Sequence, residues 1–316
     1  MTERLSKGLN CIDAEIRTDE SLKRHCTFGI GGKAAIFVVP ADSKSLVAAV
    51  NLCKETSAPY MVIGKGSNIL FPDRDLDMVI ISMTGINEIR TGPKSPPGEG
   101  HPIGGGVVSP QAAITAGAGA LLKNIAVQAQ TAGLAGFEFA CGIPGTLGGA
   151  LRMNAGAYGG DMSQVFKSAE ILDKSGEIRT VYKEDMDFDY RHSAVEKLGL
   201  VVRAILELTP GDPEKIRELM AKNMASRNTK QPVDMPSAGS VFKRPGDGIS
   251  AAKLIEECGL KGQTVGGAQV SEKHSGFIVN KGGATAADVR ALIEHIRETV
   301  RAQKGITLEP EIIMMD

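Results

Sequence analysis

Residues 136–161, GFEFACGIPGTLGGALRMNAGAYGGD, hold eight glycines in 26 positions and only three charged residues, Glu138, Arg152 and Asp161. Glycine gives up more conformational freedom on folding than any other residue, so such a run is costly unless something requires it. One requirement that fits is the close approach of a large, flat or negatively charged group to the backbone. A second glycine loop, Gly64-Lys65-Gly66-Ser67-Asn68, follows the apolar run Tyr60–Ile63. Main-chain N–H groups in such a place can form an anion-binding nest. Taken alone, this loop reads as an ordinary strand-to-strand turn. It lacks the third glycine of a dinucleotide fingerprint, Phe71-Pro72 stands where a helix should begin, and no Gly-Lys-Ser/Thr closes it as a P-loop. The segment CGIPGTLGGAL inside 136–161 reads, alone, as tight packing of elements. Two such loops in one chain favour a ligand with an extended phosphate or diphosphate.

The remaining composition narrows the class. A chain of 316 residues is longer than one core usually supports, so two or three domains are expected. The net charge is −1 with mixed signs, which offers no broad basic surface for nucleic acid. Cys11, Cys26, Cys53, Cys141 and Cys258 stand far apart with no CxxC pair, against a disulfide framework or a zinc site. His192 and His274 have no partners at metal-ligand spacing, and no metal is expected. The start MTERLSKGLNCIDAEIR has no apolar signal core, and no apolar run approaches the ~18 residues of a membrane span. The expectation is a cytoplasmic protein with no membrane contact.

Along the chain, residues 1–24 read as a polar helical lead-in. A strand is expected at 34–39, a helix capped by Asp42 or Ser43 to about Lys54, and strands at Tyr60–Ile63, 69–71 and 78–82. The segments ING…IR and HPIGGGVV read as a strand pair around TGPKSPPGEG. A helix is expected from Ser109 or Pro110 to Gly133, weakened by its glycines and broken near 117–119. Segments 169–172 and 178–181 form a hairpin about Asp-Lys-Ser-Gly. A strand at 200–208 and an amphipathic helix at 213–227 follow. The Pro- and Gly-rich loop NTKQPVDMPSAGSVFKRPGDG leads to a helix at 251–258 ended by Gly259, a strand at 276–280, a helix to about Gln303 and a closing strand at 306–313.

Some side chains invite chemistry. Arg191, in DYRHS, reads first as a solvated arginine, yet its fork matches a carboxylate. Ser240, in SAGSVF, reads as a turn residue or, if set against a reacting carbon, as a proton donor. Glu309 and Glu311, in LEPEIIMM, share a face if the strand is regular, and Pro310 between them marks an edge or bulge. These features describe a multi-domain α+β enzyme with a phosphate-bearing cofactor and an acidic or phosphorylated substrate, its reaction left open.

Taken in order, TFGIGG, IGKGSNIL, GFEFACGIPGTLGGALRMNAGAYGGD, DYRHS, AGSVFKRP and LEPEI closely resemble the UDP-N-acetylenolpyruvoylglucosamine reductase (MurB) family of bacterial peptidoglycan synthesis, from about residue 20 onward. GIPGTLGGA…NAGAYG combined with AGSVFK is the specific part. The resemblance implies an α+β fold with a two-part FAD-binding domain of the vanillyl-alcohol-oxidase/PCMH type and a C-terminal α+β substrate-binding domain. The boundaries it implies are 1–83 with 306–316, 84–230, and 231–305. It implies that NADPH reduces FAD, and that the reduced flavin passes hydride to C3 of UDP-N-acetylglucosamine enolpyruvate to give UDP-N-acetylmuramate. It assigns Ser240 as proton donor to C2, and Arg191 and Glu311 as stabilisers of the enolate. Glu311 is chosen over Glu309 because the family's glutamate is the second of LEPE, and to help it must be protonated or hydrogen-bonded to the carboxylate. The implied cofactor contacts are Gly64, Lys65, Gly66, Ser67, Asn68, Ile69 and Leu70, with Gly142, Ile143, Pro144, Gly145, Thr146, Gly148 and Gly149. Tyr158, Lys230 and Arg244 are the implied substrate contacts, and a monomer is expected.

The chain departs from some members. The 191–240 interval is short, without the long insertion that carries a tyrosine lid, so the short (type II) form is expected and Tyr190 is not that lid. Arg244 stands where other members have asparagine. Two rivals stay open. An FAD-dependent oxidase of the same fold would usually carry a His or Cys for covalent flavin attachment in the first glycine loop, where Lys65 and Ser67 provide neither. A non-catalytic nucleotide-sugar-binding module would show no flavin absorbance.

Overall fold

The computed structural model describes residues 3–93, 112–246 and 248–315, and the chain divides into two compact units. One holds residues 1–38, 52–81 and 226–316; the other holds 39–51 and 82–225.

In the first unit, Lys33–Pro40 pairs in parallel with Leu76–Ser82, and Ala14–Ser21 and Tyr60–Ile63 form the two edges of this four-stranded sheet. Ile36, Phe37, Val38, Val79, Ile80 and Ile81 are all buried, as the near-continuous apolar runs of a parallel sheet require. A second, antiparallel sheet runs in the order Ser237–Ser240, Phe277–Asn280, Ala268–Val270, Thr264–Val265. Helix Ala286–Lys304 lays Val289, Leu292, Ile293, Ile296 and Val300 into one core with Val241, Ile255, Val270 and Ile278. Their spacing is that of a helix with one apolar stripe. Both ends of this helix are satisfied. Thr285 and Asp288 form a reciprocal capping box, Asp73 accepts from the N–H groups of Ala286 (2.8 Å) and Ala287 (3.2 Å), and Gly305 ends it at φ 69°.

The second unit is built on an antiparallel sheet in the order Ile178–Tyr182, Phe166–Leu172, Leu200–Pro210, Ala112–Gly117, Ile89–Pro93. The expected hairpin is present, as are the expected helices Pro213–Lys230 and, in the first unit, Ala251–Glu257, but Pro213–Lys230 buries only Ile216 and Asn223 and lacks the apolar face expected of it. The short helix Leu147–Arg152 follows the second glycine loop.

Three other expectations fail. The lead-in is helical only over Glu3–Leu9, and Ala14–Ser21 is a sheet edge, because pairing with a neighbouring strand outweighs weak local preference. The alanine-rich 112–117 segment is a strand and not the first half of a helix. Partners on both sides bury Ala113, Ile114 and Ala116, and the helix begins only at Leu122. The glycines that mark this break have a packing cause. A Cβ on Gly117 would stand 2.4 Å from the Ile86 carbonyl oxygen, and one on Gly119 would stand 1.7 Å from that of Met83. Finally, 306–313 is not a continuous strand. Pro310 makes only an isolated bridge with Phe242, and regular pairing is confined to Ile313–Met314. HPIGGGVV and the proposed start at Ser109 or Pro110 lie outside the described residues.

The Asp288 carboxylate accepts from the backbone N–H of Thr285 (3.0 Å) and of Gly267 (3.2 Å), and these bonds hold its carboxyl below the usual aspartate range. A depressed folded-state pKa adds stability above the unfolded value and loses it as pH falls through the folded value. Asp288→Ala is therefore expected to lower the unfolding temperature at pH 7, with the gap from the parent protein closing as pH drops below about 4. Thermal melts from pH 7 to pH 3 check this, and a gap that stays constant contradicts it.

Candidate active site

The first glycine loop is held by its backbone. The N–H of Thr27 donates to the Gly66 carbonyl at 3.1 Å, and Gly66 has φ 64°. A Cβ there would lie 2.1 Å from the His25 carbonyl oxygen, so only glycine fits. After the loop, Ile69–Leu70 pairs in parallel with Ile313–Met314. Asn68 makes two further links to the C-terminal segment. Its carbonyl accepts from the N–H of Ile313 (3.0 Å), and its Nδ2 donates to the carbonyl of Glu311 (3.1 Å).

The serine strand joins the same region. Glu311 N–H donates to the Val241 carbonyl at 2.7 Å, one residue past Ser240, and Val241 N–H donates to the Gly276 carbonyl at 2.8 Å. Ser240 pairs with Phe277 across the sheet, and its Oγ donates to the Phe242 carbonyl over 3.4 Å, a long and weak bond that leaves the hydroxyl loosely held. The two glutamates part company here. Glu309 is exposed and ion-paired with Lys243, whereas Glu311 is half-buried between Pro310 and the buried Ile312. The structure thus brings Gly66, Asn68, Ser240 and Glu311 into one hydrogen-bonded framework. Lys230, at the end of its helix, and Arg244 are exposed members of the same unit.

Arg191 and Tyr158 belong to the second unit, as does the 142–149 loop. Arg191 has φ 54° in a tight turn closed by reciprocal 3.1 Å bonds between Asp189 and His192, and its guanidinium stands 5.4 Å from the Tyr190 ring centroid. That turn is tied to the glycine-rich stretch by Asn154, which sequence reasoning missed. Its Nδ2 donates to the Asp189 carbonyl (3.1 Å) and its Oδ1 accepts from Ser163 N–H (3.0 Å). Asn154 is 7% exposed at φ 39°, and an asparagine embedded in NAGAYG was the available signal, since asparagine tolerates this backbone region. Tyr158 is half-exposed, also with positive φ.

The 142–149 loop is not uniform. Leu147 and Gly148 give their N–H groups to the carbonyls of Ala120 and Ala118. A Cβ on Gly148 would press on the Ala118 Cβ at 3.1 Å, so Gly148 is there for packing. A Cβ on Gly149 would meet only Thr146 Oγ1, at an ordinary 3.7 Å. Nothing in the protein requires Gly149 to be small. Thr27 Oγ1, beside Gly66, is buried without a hydrogen-bond partner among the described residues. Within the first unit, a buried hydroxyl without a protein partner beside the Gly66 loop fits a polar group of a cofactor such as FAD.

A family model for the C-terminal domain of UDP-N-acetylenolpyruvoylglucosamine reductase matches residues 231–315, and an FAD binding domain model matches residues 34–182. The UDP-N-acetylenolpyruvoylglucosamine reductase of Clostridium perfringens (strain SM101 / Type A) is 42% identical over 301 residues, which is 95% of this chain and 93% of that protein. That of Agathobacter rectalis is 44% identical over 305 residues, 94% of this chain and 93% of that protein. The chain belongs to the UDP-N-acetylenolpyruvoylglucosamine reductase family. The crystal structure of the Thermus caldophilus family member (MurB) superposes with a TM-score of 0.74 at 32% identity, over 96% of this chain and 99% of that one. The chain is thus an FAD-containing oxidoreductase with the α+β fold that its motifs implied, and its length fits the short form of the family. Among the described residues, no helix is long and apolar enough to cross a membrane.

Gly149→Ala is expected to leave the FAD-free protein as stable or more so, since alanine is preferred to glycine in a helix by about 1 kcal/mol. It should also weaken FAD binding. Gly148→Ala, whose Cβ would press on the Ala118 Cβ at 3.1 Å, should be less stable than Gly149→Ala. Thermal melts of the FAD-free variants and FAD titrations separate the two, and unchanged FAD affinity in Gly149→Ala would count against a cofactor at this loop.

Proposed function

We propose that this protein reduces the enolpyruvyl group of UDP-N-acetylglucosamine enolpyruvate to UDP-N-acetylmuramate in peptidoglycan precursor synthesis, as a cytoplasmic monomer. FAD, when bound and reduced by NADPH, supplies the hydride that adds to C3. The chain's own residues must then manage charge and a proton. Hydride addition at C3 leaves carbanion character at C2, delocalised into the substrate carboxylate, and preorganised donors stabilise such charge most effectively. Arg191 carries the fork suited to that carboxylate. Glu311, in its protonated form, donates a hydrogen bond to it. Ser240 delivers its hydroxyl proton to C2. Serine is a weak acid, and this step works because the C2 carbanion is strongly basic and the serine's own hydrogen bond is long.

The observation that carries the reading is the 2.7 Å bond from Glu311 N–H to the Val241 carbonyl. It sets the main chain of the chosen glutamate directly against the serine strand, while Glu309 turns outward to Lys243. In this reading Tyr158, Lys230 and Arg244 contact the nucleotide sugar, with the lysine and arginine suited to its diphosphate. The loops Gly64–Leu70 and Gly142–Gly149 contact FAD. The division into 1–83 with 306–316, 84–230 and 231–305 belongs to the same reading; the C-terminal family model begins at residue 231 and runs on to residue 315.

Ser240→Ala is expected to leave reduction of the bound flavin by NADPH intact and to slow reoxidation by the enolpyruvyl substrate by about 10²–10⁴-fold. Stopped-flow measurement of the two half-reactions checks this, and equal slowing of both contradicts the assigned role. Glu311→Gln should impair reoxidation far more than Glu309→Gln, whose parent side chain serves a surface ion pair of small worth.

A further inference from the structure

Asn68 stands in a glycine loop assigned above to the cofactor, yet both of its hydrogen bonds described here go to the C-terminal segment. Its side-chain Nδ2 donates to the Glu311 carbonyl at 3.1 Å, and its own carbonyl accepts from Ile313 N–H at 3.0 Å. These two bonds fix the peptide units on either side of Ile312, which is buried at 4% exposure. On the other side of the glutamate, Glu311 N–H is taken by Val241. Pro310, just before it, has no N–H to give. The backbone of Glu311 is therefore clamped at its N–H by the serine strand and at its carbonyl by the Asn68 amide.

The amide is not what keeps the C-terminal segment in place. Parallel pairing of Ile69–Leu70 with Ile313–Met314 and burial of Leu308 and Ile312 already do that. What the amide adds is the orientation of the Glu311–Ile312 peptide plane, and through it the direction in which the Glu311 side chain leaves the backbone. We propose that Asn68 is a positioning residue for reduction of the substrate. Its Nδ2–H···O=C bond to Glu311 sets the aim of the catalytic carboxyl and ties that aim to the glycine loop. The proposal rests on the role given to Glu311 under the proposed function.

The test uses the full-length protein with FAD in excess, so that occupancy is equal in Asn68→Ala, Asn68→Asp, Glu311→Gln and the Asn68→Ala/Glu311→Gln double variant. Reduction by NADPH and reoxidation by UDP-N-acetylglucosamine enolpyruvate are followed separately by flavin absorbance. Asn68→Ala is expected to slow reoxidation by about 10- to 100-fold, the scale of an ångström-sized misalignment, and to slow it more than it slows flavin reduction. The double variant should be no slower than Glu311→Gln alone, because both substitutions act through one group. Asn68→Asp gives a signature that a purely structural role would not. As a carboxylate it can only accept and so repels the Glu311 carbonyl, whereas once protonated it donates to it. Its reoxidation rate should therefore rise relative to that of Asn68→Ala as pH falls toward about 4.

Several results overturn the proposal. These are equal slowing of both half-reactions in Asn68→Ala, multiplicative effects in the double variant, or no pH-dependent gain of Asn68→Asp over Asn68→Ala. If Glu311→Gln is slow and Asn68→Ala is not, the positioning role falls alone. If Glu311→Gln reoxidises at the parent rate, the role assigned to Glu311 falls and takes the proposal with it.

Discussion

Three stretches of chain that are remote in sequence are held together by main-chain hydrogen bonds around Glu311. Val241 takes its N–H, Asn68 takes its carbonyl through Nδ2, and Lys243 N–H reaches back to the Glu309 carbonyl at 2.9 Å. Parallel pairing of Ile313–Met314 with Ile69–Leu70 and burial of Leu308 and Ile312 place the C-terminal segment, and these bonds fix the backbone of Glu311 within it. A backbone donor or acceptor left unpaired in a half-buried position is expensive, and the arrangement leaves the segment few other conformations. The first glycine loop, the serine strand and the C-terminal segment are thereby built as one object.

The same region shows how a charged pair can be sorted without moving the backbone far. Two glutamates two residues apart would face the same way on a regular strand. Pro310 breaks that regularity, and one carboxylate turns to Lys243 at the surface while the other stays half-buried. A similar economy operates in the second unit. There a buried asparagine, Asn154, ties the turn that carries Arg191 to the glycine-rich stretch with a single side-chain amide. In each unit an asparagine bonded to the main chain holds the backbone next to a charged residue assigned to the chemistry.

Glycine has more than one cause in this chain. At Gly66, Gly117 and Gly119 a Cβ would strike a carbonyl oxygen within 2.4 Å, and at Gly148 it would crowd Ala118. At Gly149 no protein atom objects. A glycine run read from sequence merges these cases. Only the surroundings of each Cβ position separate the glycines that packing requires from those, Gly149 among them, that it does not.

Much of the fold was legible because it follows local rules. The 213–230 helix declares its cap at Asp212, the 286–304 helix declares its cap and its apolar stripe, the 166–182 hairpin declares its turn, and the motifs around Ser240, Glu311 and the two glycine loops declare a family. Three segments were not legible, and the cause is the same in each. Residues 14–21 and 112–117 are strands because partners lie beside them, and 306–312 is irregular because of what Pro310 and Phe242 do together. Pairing partners are a property of the folded chain, and no window of sequence contains them. The sequence by itself determined the residue types available for the chemistry and the elements that local propensity and capping can specify. Which glutamate is exposed and ion-paired and which is half-buried, what holds the backbone of Glu311, and which glycines are crowded by protein atoms were decided only by tertiary structure, because they depend on hydrogen bonds and contacts between residues up to 243 positions apart.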